Sequence, residues 1–227
     1  MKFLNKHWYD ICGILAIPAI IAAIVFYDSM ETLQFLALLN FIVILIHQFE
    51  EYRFPGGGQA LPNTVRGGDT IPDRHPLNQQ SAMAGNLFVS FVMYTLPIFF
   101  PNVIWLSLVP IIIGCLLQVG MHVVIGAVKF KLYYNPGMFA VLFGHVPIGI
   151  YYFWYTISNG LIGISDIVLA VVYIFLTMGV LYNKVFYGLM ADKNTPYPFT
   201  PEEMNRFNMY EKIKKNAGHL ITTDKEL

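Results

Sequence analysis

Long apolar runs separated by short polar connections set the pattern of this chain. Six runs can be read, over residues 11–27, 32–47, 82–100, 103–128, 138–157 and 162–183. Crossing a bilayer takes about 20 apolar residues, with about 17 as the lower end. Each run therefore predicts a transmembrane helix, since a helix satisfies its own backbone inside lipid. The second run reaches spanning length only if it carries His47, Glu50 and Glu51 on its end. Pro18, Pro110 and Pro147 predict kinks within spans. Gly120, Gly126, Gly144 and Gly149 suit close helix approach.

The expected fold class is all-α, a polytopic membrane protein of six transmembrane helices with a glycine- and proline-rich cytoplasmic loop and a short cytoplasmic tail. Residues 1–191 are expected to form one transmembrane domain, and residues 192–227 a tail with a short polar helix. Thr200 as N-cap and Pro201 at the first helical position start that helix. It is expected to be a solvated surface element. The connection over residues 52–81 carries Phe54-Pro55-Gly56-Gly57-Gly58 and shows no helical pattern of its own. Connections of that length tend to be functional or disordered.

Composition agrees with this pattern. The chain is 56% hydrophobic and 12% charged, more apolar than a soluble domain of its size needs. All 14 Lys and Arg fall in the N-terminal tail, the connections after the second and fourth runs, and the C-terminal region. The opposite connections carry Asp28, Glu31 and Asp166 instead. This bias predicts a multi-pass cell-membrane protein with both termini cytoplasmic. The first run is expected to be a retained helix, because Phe26-Tyr27-Asp28 is the wrong chemistry for signal cleavage. Cys12 and Cys115 fall within runs and imply no disulfide framework. Asp-Lys-Glu-Leu at the end scrambles the order of a retrieval signal. With zero formal net charge and no phosphate-loop pattern, the lipid bilayer is the expected partner and nucleic acid is not.

Against this apolar background, His47-Gln48-Phe49-Glu50-Glu51 stands out. Ionisable groups at membrane depth cost about 2.5–3.5 kcal/mol each on insertion scales. His47, Glu50 and Glu51 at i, i+3 and i+4 share one helix face. Two carboxylates this close need a cation or a shared proton to offset their repulsion. Helical-bundle metal sites use this same spacing of Glu and His. Arg53, three residues after Glu50, offers a competing way to neutralise one carboxylate.

Depth brings further candidates to the same layer. His122 lies roughly 28 Å along the fourth run from residue 103, near the cytoplasmic boundary. Gln118 shares its face. His145 lies about 10 Å inside the fifth run, and Asn86 about one turn into the third. The expected metal ligands are His47, Glu50, Glu51, His122 and His145, with Glu50 and Glu51 catalytic. Asn86, Arg53 and Gln118 are expected to touch substrate or support the ligands. A divalent ion, zinc or iron, is the expected cofactor. His75 is expected to be solvent-exposed, and His7 and His219 to lie outside the site. Tyr133-Tyr134-Asn135-Pro136-Gly137 reads as a helix connector that could also set the depth of His145.

The string His47-x-x-Glu50-Glu51-Tyr52-x-Phe54-Pro55-Gly56 resembles the signature of the HXXEE family of prokaryotic integral membrane proteins. Tyr134-Asn135-Pro136-Gly137 before a span, with His122 upstream, is similar to that family's second half. The resemblance covers roughly residues 47–178. It implies an inner-membrane protein with His47, Glu50 and Glu51 as signature residues, and it names no substrate. A looser similarity is to the CAAX-protease-like membrane enzymes, which pair two glutamates with later membrane histidines. Their Glu-Glu-x-x-x-Arg spacing is broken here, because Arg53 directly follows Tyr52.

Three functions are compatible with these residues. One is a metal-dependent intramembrane hydrolase, with one glutamate activating water. Another is a structural or partner-binding membrane protein. The last is a proton or cation transporter, which the apolar outer half of the spans and the lack of an inverted repeat disfavour.

Overall fold

The computed structural model describes residues 2–67 and 71–217. Gly68, part of the long connection, and His219, with the rest of 218–227, lie outside the described residues. Among the described residues, six helices are long and apolar enough to cross a membrane. They are α1 (Lys2–Val25), α2 (Thr32–Tyr52), α4 (Gln79–Phe99), α5 (Ile104–Lys129), α6 (Met138–Ser158) and α7 (Ile164–Leu189). A short helix α3 (Ala60–Gly67) interrupts the long connection. Two more, α8 (Pro201–Asn205) and α9 (Met209–Ala217), form the tail. The chain is therefore an all-α, multi-pass membrane protein.

Two boundaries differ from the apolar pattern. α1 begins nine residues before the apolar run does, because Trp8 and Tyr9 are buried against Tyr52 and the tail. α2 continues unbroken through His47, Glu50 and Glu51 to Tyr52, as the span length required. α1 and α2 pack along each other. α5 and α7 run parallel, and they pack where both begin, over Ile104–Ile112 and Ile164–Ile174. Farther along they part.

The long connection does contain a helix. Its stability is tertiary, so no local pattern announced it. Asn63 on α3 donates to the carbonyls of Pro72 and Leu77 at 2.7 and 2.8 Å and accepts from the Leu77 N–H at 3.0 Å. That side chain closes the connection on itself.

The tail helix is likewise not the solvated element its polar composition suggested. Met209 and Ile213, one turn apart, are fully buried with Met204 and Phe199. The glycine loop is the seat they rest on. Gly57 has φ +89°, and a Cβ there would lie 3.0 Å from Met209 Cβ. Arg206 reaches across to the Tyr52 carbonyl at 2.5 Å. Buried Glu203 accepts from Gln79, Tyr9 and the Thr200 N–H, which ties the tail to α1 and α4.

Several spans contain wide π-helical turns. One covers Gly120–Lys129 and holds His122, and another, Val141–His145, ends on His145. Such turns re-aim side chains and recur at functional sites.

Candidate metal centre

α2 carries His47, Glu50 and Glu51 to the point where α5 turns back into α6. His122 comes from α5, and the turn between the two helices holds Asn135-Pro136-Gly137. The ligand atoms of His47, Glu51 and His122 all lie within 4.8 Å of one another. The His47 and His122 rings stand edge to face, 5.0 Å between centroids. His47 Nε2 is 3.6 Å from Glu51 Oε2.

Each imidazole is held by one nitrogen. His47 Nδ1 donates to the Gly137 carbonyl at 3.1 Å. His122 Nδ1 donates to Asn135 Oδ1 at 2.6 Å. The Asn135 amide is itself oriented, because its Nδ2 donates to the His122 carbonyl at 2.8 Å. In the neutral imidazole this fixes both tautomers and leaves a lone pair on each Nε2. Both Nε2 atoms are buried and, among the described residues, have no hydrogen-bond partner.

That arrangement is the fit test for a cation. A carbonyl or amide oxygen behind Nδ1 is the usual support of a metal-bound histidine. Ligands at about 2.0–2.2 Å from one tetrahedral ion stand about 3.3–3.6 Å apart, so His47 and Glu51 at 3.6 Å already fit, and a pair at the 4.8 Å limit has to close by a little over 1 Å. A buried polar atom left unpaired costs about 1–3 kcal/mol. A divalent ion would satisfy both nitrogens at once.

His145 stands behind this group, its ring 6.0 Å from that of His47. Its Nδ1 lies 2.6 Å from Asn40 Oδ1, and its Nε2 is also buried and unpartnered. Here the other end of the Asn40 amide has no partner, so nothing beyond the pair sets the tautomer. His145 adjoins the group of three and is not one of it.

Glu50 does something else. Its Oε1 accepts from the Tyr134 hydroxyl at 2.9 Å and the Phe139 N–H at 3.0 Å, and its Oε2 accepts from the Ala140 N–H at 2.9 Å. Those N–H groups belong to the first turn of α6, which has no partner within the helix. The carboxylate of one span thus caps the N-terminus of another, where the helix dipole favours negative charge. Burial, the hydrogen bond to Glu50 and its charge together push the Tyr134 phenol above its ordinary value. Three hydrogen bonds hold Glu50 against α6, and of the pair it is Glu51 that stands in the group with His47 and His122.

The remaining expectations fall into place around this centre. Arg53 pairs with Asp10 at 3.1 Å, not with Glu50, because the turn after Tyr52 carries it to α1. Asn86 donates to the Tyr52 hydroxyl at 3.2 Å, one residue from Glu51. Gln118 lines a groove between α5 and α7, away from the ligands. His7 bonds Asp10, and His75, half-buried, is not in the group. A narrow cavity beside the ligands has room for about one water and is lined by Glu51, Gly58, Met121, His122, Asn135 and Met209. The tail helix roofs it through Met209.

Three supporting residues were not singled out for this role from sequence. Asn135 and Gly137 sit in a turn that also reads as a plain connector. Asn40, seven residues before His47, lies two turns away on the same face, and that spacing was the available signal.

The model of a family described as "protein of unknown function with HXXEE motif" matches residues 38–152. No curated protein and no solved structure matches the chain.

Proposed function

The chain belongs to the HXXEE family, whose description gives a motif and no activity, and on that premise we propose that it is a metal-dependent intramembrane hydrolase. The observation that carries the reading is the pair of buried imidazoles, each fixed at Nδ1 and orphaned at Nε2 beside a carboxylate. A packing role alone would leave those nitrogens desolvated and unpaired, which is unfavourable. Two histidines and a glutamate form the donor set of hydrolytic zinc sites that keep one position open.

His47 and His122 would hold the ion through Nε2, and Glu51 would complete the set with one oxygen. The ion supplies Lewis acidity. The other oxygen of Glu51 would take a proton from water. The water oxygen bonds the electrophilic carbon or phosphorus of the substrate, the bond to the leaving oxygen breaks, and that oxygen receives the proton. Asn135 and Gly137 keep both imidazoles aimed throughout, and Met209 limits bulk water at the roof of the cavity.

The decisive experiment titrates Co(II) into chelator-treated, detergent-purified protein. One ion per chain, with the visible absorption of a low-coordinate nitrogen and oxygen site, is expected for the wild type. His122→Ala is expected to show neither while keeping the wild-type circular dichroism. Wild-type protein that takes up no stoichiometric cobalt would refute the reading. Turnover of ester or phosphoester lipids is then expected to stop with chelator and return with metal.

The Lys and Arg bias assigns both termini, and the centre, to the cytosolic side. In a cysteine-free background, maleimide added outside intact cells should label a cysteine placed at Ser29 and spare one at Tyr133, both exposed positions. The opposite pattern would place the centre on the outer face.

A further inference from the structure

Beyond the helix turns where α5 and α7 pack, the two spans part and leave a groove open to the side. Its walls are apolar along most of their length, with Ile113 and Leu117 on α5 and Val171, Phe175 and Met178 on α7. Its other end is polar. There Tyr182, Asn183 and Tyr187 meet Arg66, which reaches down from α3. The Arg66 guanidinium stands 4.0 Å over the Tyr187 ring, and its Nη1 donates to Asn183 Oδ1 at 2.6 Å. Among the described residues, no carboxylate lies within 4.0 Å of it; Asp10, Asp73 and Glu202 pair with Arg53, Arg74 and Arg206 instead.

We infer that this groove receives the acyl chain of an anionic phospholipid, one whose phosphate no headgroup cation neutralises, with Arg66 holding the head beside the His47, Glu51 and His122 centre. That this lipid is the substrate rests on the hydrolase reading above.

Four features favour such an occupant. The groove faces the bilayer, since α7 is the least buried of the spans and Val171 and Phe175 are exposed. From Asn183 to Val171 is about 18 Å of helix, close to half of the roughly 30 Å hydrocarbon core and so to the depth of one leaflet. A guanidinium held flat by an aromatic ring and an amide presents its remaining donors as a fork, the geometry that suits phosphate. A wholly apolar occupant would leave that charge without a carboxylate partner among the described residues. Finally, Met121 lines both the groove and the cavity beside Glu51 and His122. An unbranched thioether re-packs readily, so Met121 is a wall that the groove and the cavity share and that can shift.

Native mass spectrometry tests the inference on the full chain in detergent, mixed with equal amounts of phosphatidylglycerol and phosphatidylcholine of identical acyl chains. Retention of phosphatidylglycerol over phosphatidylcholine by about tenfold is expected, the size of a charge-assisted contact. Arg66→Ala should bring the two lipids near parity, and Met178→Trp should lower retention of both by filling the groove. Equal retention by the wild type, or a preference that survives Arg66→Ala, overturns the assignment. Metal content read on the same samples keeps the two proposals apart. Arg66→Ala should keep the ion, and His122→Ala should lose the ion and keep the lipid. Lipid preference in a wild-type protein that binds no ion would sink the hydrolase and leave the groove assignment standing. Ion binding without lipid preference would do the reverse.

Discussion

Glu50→Gln is expected to destabilise the protein, whereas Glu51→Gln leaves it folded and empties the ion site. The two residues are neighbours with the same side chain, and their surroundings separate them. Glu50 accepts three hydrogen bonds, two of them from the first turn of α6. A glutamine keeps one acceptor oxygen and turns an NH2 toward a donor. Each lost bond to a charged group costs about 1.5–3 kcal/mol, and the N–H left behind stays buried. Among the described residues Glu51 has no hydrogen bond of this kind, and its carboxylate approaches His47 Nε2 at 3.6 Å. Gln there keeps the shape and loses the charge a divalent ion needs. Thermal melting in detergent and metal analysis of the same samples read both effects. A Glu50→Gln protein as stable as the wild type would show that the cap carries no weight, and a Glu51→Gln protein with full metal content would remove Glu51 from the donor set.

Gly137→Ala is expected to disturb both histidines at once. The residue has φ +95°, a conformation that costs an L side chain about 1 kcal/mol or more. An added Cβ would lie 2.6 Å from His122 Cε1 and 2.8 Å from His47 Cε1. Neither ring can yield without leaving the oxygen that orients it, and the Gly137 carbonyl is one of those oxygens. Loss of such support typically lowers metal affinity by about 10–100-fold. Gly160→Ala is the matched control. Gly160 also has positive φ, +61°, but a Cβ there would meet nothing within 4 Å. Cobalt affinity should fall in the first variant and hold in the second. Equal affinity in both would mean that the turn does not position the rings.

The membrane architecture was legible because the bilayer imposes a length. Six runs long enough to span became six helices, and the second run had to include its charged end to qualify. The layer in which the histidines gather was legible for a related reason: rise per residue converts a sequence position into depth. What spacing could not do was distinguish Glu50 from Glu51. Both i+3 and i+4 lie on the His47 face, and the choice between them is made by α6, whose first N–H groups arrive from 89 and 90 residues away. Partners were hidden in the same way. Asn135 reads as a turn former, and only the fold shows its amide gripping His122 on both sides. α3 and the tail helix were obscured because tertiary bonds through Asn63, and burial of Met209 and Ile213, hold them rather than local propensity.

The cap that Glu50 places on α6 has a consequence for how the protein is made. α2 leaves the ribosome well before α6. Glu50 meets none of its donors until Tyr134, 84 residues later, has been synthesised, and Phe139 and Ala140 follow. During that interval the carboxylate can escape the cost of lipid only by staying at the aqueous boundary. α2 therefore first settles as a shallow span with its charged end in the headgroups. Arrival of the Asn135-Pro136-Gly137 turn with the first turn of α6 then supplies, together, the N–H groups for Glu50, the carbonyl for His47 and the amide for His122. Insertion of the fifth span and assembly of the centre become a single step, so an insertion intermediate that lacks α6 holds the signature residues without the site.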